Sequence, residues 1–136
     1  MSVPTTFFDQ LYQDSPDPWA FRERWYEQRK RALTLACLPR QQYRSTYELG
    51  CANGELSAGL ALRTEQLLCC DASAKAVELA RQRLRACQNT HVQQSRSPAD
   101  WPMGSFDLIV LSEMGYYLDA ADLRELIART LNLSLI

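Results

Sequence analysis

The sequence lacks an excess of charge of either sign, a long apolar run and a supply of histidine. It carries 15 lysines and arginines against 16 aspartates and glutamates, so its formal net charge is −1. That balance argues against a nucleic acid or an anionic membrane as partner. No apolar run approaches the roughly 20 residues that cross a bilayer, and the N-terminus lacks the basic start and apolar core of a signal peptide, so we expect none. His91, the single histidine, begins an ordinary predicted strand, which leaves no histidine general base.

The cysteines also lack a pattern that would give them a structural or metal-binding role. Their number is odd and no C-x-x-C motif occurs, so the spacing fits neither a disulfide framework nor a zinc site. We interpret them as reduced, buried thiols of a cytoplasmic protein. The five positions are Cys37, Cys51, Cys69, Cys70 and Cys87.

The first 40 residues read as a helical extension to one small domain. The chain has 136 residues, of which 46% are hydrophobic, enough for a single domain. Apolar residues at helical spacing predict a short helix over 5–14, and two prolines then mark a turn. A longer helix is predicted from about residue 19 to 38, ending before Pro39. Its predicted buried stripe consists of Phe21, Trp25, Ala32, Leu33 and Ala36.

Residues 41–136 alternate between predicted strands and helices. Short apolar runs predict strands over 45–49, 66–70, 91–94 and 106–111, with helices over 55–63, 73–87 and 120–131. Alternation with short connections predicts an α/β domain, a parallel sheet with helices on both faces. Consecutive apolar residues over 108–111 predict a fourth strand buried on both faces.

A glycine turn between the first strand and its helix is the sharpest functional signal. Gly50 and Gly54 permit tight turning and close approach of a ligand. Glu48 lies two residues before the first glycine. Asp71 ends the next strand, 21 residues after Gly50, a separation suited to binding ribose hydroxyls.

Several segments together resemble the class I S-adenosylmethionine-dependent methyltransferases. They read Glu48-x-Gly50-x-x-x-Gly54, then Asp71-x-Ser73-x-x-Ala76 with Ala80-Arg81, and then Phe106-Asp107-Leu-Ile-Val-Leu-Ser-Glu113. More narrowly, four other segments resemble the N-methyltransferases of the nodulation protein S type. These are Asp17-Pro18-Trp19, Tyr26-Glu27-Gln28, Trp101-Pro102 and Tyr116-Tyr117-Leu118. The resemblance covers nearly the whole chain and implies a Rossmann-like fold that binds S-adenosylmethionine.

The resemblance also implies which residues hold the cofactor. Asp71 would accept hydrogen bonds from both ribose hydroxyls, and Glu48 would hold nearby backbone or the amino end in place. The implied set is Trp19, Glu48, Gly50, Cys51, Ala52, Asn53, Gly54, Asp71, Ala72, Ser97 and Ser112. One departure concerns adenine. Where the broad family has an acidic residue, this chain reads Ser95-Arg96-Ser97, so either a serine or a backbone group recognises the base, or cofactor affinity is reduced.

The catalytic residues implied by the resemblance follow the fourth strand. Glu113 could attract an acceptor ammonium and help remove its proton, while Tyr116 and Tyr117 could shield the reacting methyl or simply pack under a loop. Trp19, Tyr26 and Lys30 are candidates for a lid or, for the aromatics, core packing.

A dinucleotide-binding dehydrogenase is the alternative that the glycine turn leaves open. Two features of the turn disfavour it. Ala52 stands where that pattern has its second glycine, and the carboxylate of Glu55 would repel a pyrophosphate at the start of the helix.

The methyltransferase resemblance implies seven strands in the order 3-2-1-4-5-7-6, of which this chain supplies about four. The fourth strand should then lie at an open edge, and we expect it to drive self-association. We expect a truncated methyltransferase acting on an amine of a small acceptor, such as an amino sugar. The alternatives are a module that binds S-adenosylmethionine without catalysis, and a degenerate chain with neither property.

Overall fold

A four-stranded parallel sheet forms the centre of the described part of the chain. The structure is a computed structural model that describes residues 2–18, 20, 22–96, 102, 104–111 and 118–134. The sheet has the order β3-β2-β1-β4, with every pair parallel. In chain order the elements are α1 (Thr5–Asp14), α2 (Trp25–Ala36), β1 (Tyr43–Leu49), α3 (Glu55–Ala61), β2 (Thr64–Asp71), α4 (Ala74–Arg83), β3 (Thr90–Gln94), β4 (Leu108–Leu111) and α5 (Ala120–Ser134).

Side chains alternate along the strands and bury two separate apolar clusters, one on each face of the sheet. On one face, Cys69 of β2 and Val110 of β4 pack with Leu60 of α3 and Val77 of α4. On the other face, Tyr47 stacks on Phe106 with ring centroids 5.3 Å apart, and Leu126 of α5 belongs to the same cluster. The predicted α/β architecture, with helices on both faces of a parallel sheet, is confirmed.

Helix α4 follows the sequence prediction closely. The Ser73 hydroxyl accepts a hydrogen bond from the Ala76 amide at 3.2 Å and so caps the first turn. Val77 and Ala80 of α4 and Leu84 at its C-cap are buried, and Cys87 is half-buried. The helix ends at Arg83, four residues before the predicted end at residue 87.

The prediction for the second helix is wrong at its start and for its buried face. The helix begins at Trp25, about six residues later than predicted. Before it, Ala20 adopts a left-handed φ of 54°, and Asp17 accepts a hydrogen bond from the Arg22 amide, so the chain turns there. Trp25 is 72% exposed, and Arg29 lies over its ring. The half-buried face carries Leu35 instead.

The other members of the predicted stripe within α2 are also exposed. They are Ala32, Leu33 and Ala36, and α2 has no fully buried residue. Phe21, the first member of the predicted stripe, lies outside the described residues. Residues at helical spacing share a face wherever the helix begins, but that spacing does not show which face packs against the protein, and here it is the face with Leu35.

Strand β4 is an edge within the described residues, as predicted, but it is not buried on both faces. Val110 is buried, whereas Leu111 is 37% exposed. Strand β4 pairs with β1 on one side, and none of the described strands pairs with its other side. None of the helices in the described residues is both long enough and apolar enough to cross a membrane.

Candidate ligand site at the carboxyl edge of the sheet

The carboxyl ends of β1 and β2 bring the glycine turn next to the start of α4. The Cys70 carbonyl accepts hydrogen bonds from the amides of Gly50 and Cys51, at 2.8 and 3.0 Å. These bonds hold the turn against the end of β2, because Cys70 directly precedes Asp71, the last residue of that strand. In open parallel sheets this edge is where ligands bind.

Three residues of the turn have left-handed backbone conformations. Gly50, Ala52 and Gly54 have φ values of 75°, 52° and 87°. At Gly54 an added Cβ would lie 3.3 Å from the Cα of Ala80, so glycine is needed both for its φ and for the close approach of α4. Ala52 has a Cβ in a conformation that costs an L-residue roughly 1–2 kcal/mol.

Asp71 fixes the turn through its carboxylate. Its Oδ2 accepts a hydrogen bond from the Ala52 amide at 2.9 Å, and its Oδ1 accepts one from the Ser73 amide at 3.0 Å. Burial raises the pKa of Asp71, and the bonds from the backbone amides, including that of Ala72, oppose the rise. Asp71 is only half-buried by exposed area, and each oxygen keeps a further lone pair for a ligand hydroxyl.

Glu48 lies beneath the turn, on the sheet face that carries α3. The side chain is 2% exposed, and its Oε1 accepts hydrogen bonds from the Ser57 hydroxyl and from the Cys69 thiol, the latter at 3.7 Å. Burial raises the pKa of Glu48 to about 7, against the opposing effect of these two hydrogen bonds. These two hydrogen bonds therefore tie β1 to α3 and β2.

The thiols near the turn are buried and protonated. Burial raises the pKa values of Cys51, Cys69 and Cys70 above the ordinary range, which makes them poor nucleophiles. The prediction of buried thiols is wrong for Cys37, which is exposed just after α2, where the chain turns toward β1.

A model of the nodulation protein S (NodS) family matches residues 9–135 of the chain. The chain belongs to the NodS family. A solved protein of Pseudomonas syringae, described as a "putative methyltransferase", is 62% identical, with a TM-score of 0.74, and the match covers 81% of this chain and 69% of that one. Among curated proteins, no match was found.

The fold is shared with further methyltransferases. The N-methyltransferase NodS of Bradyrhizobium japonicum WM9, solved with S-adenosylhomocysteine, is 24% identical with a TM-score of 0.84 over 96% of this chain and 68% of that one. The phosphoethanolamine N-methyltransferase 1 of Haemonchus contortus, solved with phosphoethanolamine and S-adenosylhomocysteine, is 21% identical with a TM-score of 0.80. The match covers 93% of this chain and 28% of that one.

Because the chain belongs to the NodS family, the resemblance to methyltransferases is confirmed. This membership disfavours the alternative of a dinucleotide-binding dehydrogenase. In the folded chain, however, Glu55 would not repel a pyrophosphate as strongly as the sequence suggests. The Glu55 carboxylate accepts hydrogen bonds from Arg22 at 3.3 Å and from Arg83 at 2.9 Å. These two guanidinium groups offset its charge, so it would repel an anion only weakly.

Several of the implied site residues of this chain lie outside the described residues, and their roles stay predictions. They are Trp19, Ser97, Ser112, Glu113, Tyr116 and Tyr117. The described members come together at one edge. Asn53 is buried in the turn, and Ser95, a candidate for adenine recognition, is buried and donates its amide to the Asp71 carbonyl at 3.0 Å.

Sequence reasoning missed the N-terminal side chains that reach this edge. Asp17 accepts a hydrogen bond from the Asn53 side chain at 3.1 Å, and Asp9 accepts one from the Ser73 hydroxyl at 2.6 Å. Asp17 was noted only as part of the resemblance motif, and nothing in the sequence marked Asp9. Tyr26 and Lys30, two candidates for a lid, lie against each other, with Lys30 Nζ 5.3 Å from the centroid of the Tyr26 ring, and their role stays a prediction.

Proposed function

We propose that this chain is an S-adenosylmethionine-dependent methyltransferase that methylates an amine of a small acceptor. The carboxylate of Asp71 carries the proposal, because both its oxygens are aligned by backbone amides at the edge of the sheet where ligands bind. Membership of the NodS family and the 62%-identical relative support the same activity. The amine acceptor, and an amino sugar in particular, rests on the resemblance to the N-methyltransferases.

The described residues fit a nucleoside ligand in three respects. Asp71 offers two charged acceptors spaced for a vicinal diol, already oriented by the Ala52 and Ser73 amides. The turn has no side chain larger than that of Asn53, so a ligand can approach its backbone closely. Asn53 is itself buried, and its side-chain amide is engaged by the carboxylate of Asp17.

The chemistry demands positioning more than acid strength. S-adenosylmethionine supplies a methyl group on a sulfonium, which an amine can take by in-line displacement. The carboxylate of Glu113 attracts the acceptor's ammonium group and accepts a proton from it, leaving the free amine as nucleophile. Tyr116 and Tyr117 exclude water from the reacting atoms.

The ligand half of the proposal is tested with two matched aspartates at opposite ends of the sheet. Asp107 accepts hydrogen bonds from the Arg44 and Ser45 amides, both at 2.9 Å, just as Asp71 accepts bonds from Ala52 and Ser73. Both Asp71→Asn and Asp107→Asn should therefore reduce stability. Only Asp71→Asn should weaken the binding of S-adenosylhomocysteine, by about tenfold or more, because it removes a charged acceptor. Equal affinities in the two variants would overturn the role of Asp71.

The acceptor half is tested by methyl incorporation. The chain is given radiolabelled S-adenosylmethionine with glucosamine or with N-acetylglucosamine, which differ in the free amine. We expect incorporation with the free amine alone, and loss of at least tenfold in Glu113→Gln without loss of ligand binding. Ligand binding without incorporation into any amine would identify a non-catalytic module. Incorporation into both sugars would contradict the choice of an amine.

A further inference from the structure

The N-terminal residues cross the carboxyl edge of the sheet and contact the segments that follow three of its strands. We call residues 2–18 the strap; they comprise α1 and the turns on either side of it. Its contacts come from side chains spread over its whole length. They reach α5, α4 and the glycine turn, which follow β4, β2 and β1 in turn. The strap therefore spans the edge where Asp71 and the turn lie.

At its beginning the strap is tied to the N-terminus of α5. The Ser2 hydroxyl donates to Asp122 Oδ2 at 2.5 Å and accepts a hydrogen bond from the Asp119 amide at 3.0 Å. This tie holds the first residues of the strap.

Two aspartates of the strap reach buried donors inside the candidate site. Ser73 is fully buried, and its hydroxyl accepts from the Ala76 amide while donating to Asp9 at 2.6 Å. Asn53 is 5% exposed, and its Nδ2 donates to Asp17 at 3.1 Å. Each bond links the strap to a residue directly beside Asp71 or within the glycine turn.

Apolar burial holds the strap mainly through one side chain. Tyr12 is 3% exposed and is the one fully buried residue of α1, Phe8 and Leu11 are half-buried, and Phe7 is exposed. A segment with few buried apolar contacts opens at a low free-energy cost. Its polar ties then account for a large part of the difference between the closed and open arrangements.

We propose that Asp9 and Asp17 latch the strap over the ligand site, so that the strap must open for a nucleoside ligand to enter or leave. The proposal rests on the proposed function, since it assumes that the edge binds the S-adenosyl group. Asp9 and Asp17 are positioning residues in this account. They act through Ser73 and Asn53 and set the rate of ligand exchange.

A latch has a kinetic signature that a ligand contact does not share. If the closed strap predominates, weakening it raises the fraction of open molecules both with and without ligand. Association and dissociation rate constants then rise together, and the dissociation constant hardly changes. Loss of a direct ligand contact raises the dissociation rate constant and the dissociation constant.

The test measures both rate constants for S-adenosylhomocysteine by surface plasmon resonance on the immobilised chain. Asp9→Ala and Asp17→Ala should each raise both rate constants by about tenfold, the usual effect of a lost hydrogen bond to a charged group. The dissociation constant should stay within about twofold. The matched control is Asp14→Ala, which makes the same charge change on the strap. Asp14 is exposed, and among the described residues its carboxylate accepts one bond, from Gln10 of its own helix at 3.3 Å, so both rate constants should stay within about twofold of wild type.

The outcomes separate the two claims. A rise in the dissociation rate constant alone, or no change in either, overturns the latch and leaves the proposed function standing. Failure of the folded wild-type chain to bind S-adenosylhomocysteine overturns both. If an alanine variant does not fold, Asp9→Asn and Asp17→Asn keep the side-chain size and weaken the same bonds. They should show the same joint rise, smaller in size, and its absence would equally overturn the latch.

Discussion

Glu48 should make the chain less stable as the pH rises through neutrality, and Glu48→Gln should remove that loss. The carboxyl group is buried, and no cation forms an ion pair with it among the described residues. Its nearest polar groups are the Ser57 hydroxyl and the Cys69 thiol, and the Asp71 carboxylate raises its pKa further. Glutamine resembles the protonated carboxyl in shape and has no charge to bury.

The size of the effect follows from the pKa. The pKa of Glu48 rises from its ordinary 4.5 to about 7 in the folded chain. Between these pH values the folded state therefore binds more protons than the unfolded state. Stability attributable to this group is therefore fully present below about pH 4.5 and falls as the pH rises to 7. The loss reaches about 3 kcal/mol above pH 8 and is about 1 kcal/mol at pH 5, at 1.36 kcal/mol for each pH unit.

The assay is urea unfolding of wild type and Glu48→Gln at several pH values between 5 and 8.5. The variant's advantage should grow by about 2 kcal/mol over this range, since the contributions of all other groups cancel in the difference. Glu55→Gln is a useful contrast, because Glu55 is paired with Arg22 and Arg83 and its loss should not stabilise the chain at pH 8. A difference between wild type and Glu48→Gln that stays constant with pH would refute the reasoning.

Three further predictions concern the glycine turn and the sheet edge. Ala52→Gly should raise the free energy of unfolding by up to about 1 kcal/mol, because relief of the left-handed φ of 52° outweighs the added backbone entropy of the unfolded chain. A variant less stable than wild type would contradict the strain at Ala52. Gly54→Ala should lower the free energy of unfolding by about 2 kcal/mol or more, because alanine is strained at a φ of 87° and its Cβ would press on the backbone of Ala80. An unchanged midpoint of urea unfolding would show that the turn can relax. In sedimentation velocity at micromolar concentration the wild-type chain should self-associate through β4, and Leu111→Lys should reduce the association; a wild-type monomer would argue against an adhesive edge.

The regular part of the fold was predictable because local sequence and tertiary packing agree there. The four strands and the helix capped by Ser73 lie where periodicity placed them, to within a few residues. Helix α2 was predicted to begin too early because the start depends on a turn held by the Asp17 carboxylate and on the left-handed Ala20. Neither contact leaves a periodic signal in the sequence.

The candidate site was predictable to the same extent. Gly50, Gly54 and Asp71 were identified because their backbone and charge requirements are local, and they do lie together. Asp9 could not be identified, since its partner Ser73 is 64 residues away in the sequence. The depth of Glu48 was equally hidden, because a motif position does not state which face of the sheet a side chain occupies.

The most direct test of the central claim, that the edge at Asp71 binds the S-adenosyl group, is a calorimetric titration of the folded wild-type chain with S-adenosylhomocysteine. The account predicts saturable heat with one ligand per chain, weakened about tenfold or more in Asp71→Asn and retained in Asp107→Asn. A folded wild-type chain that gives no binding heat at several temperatures, or one whose affinity is indifferent to Asp71→Asn, would contradict it.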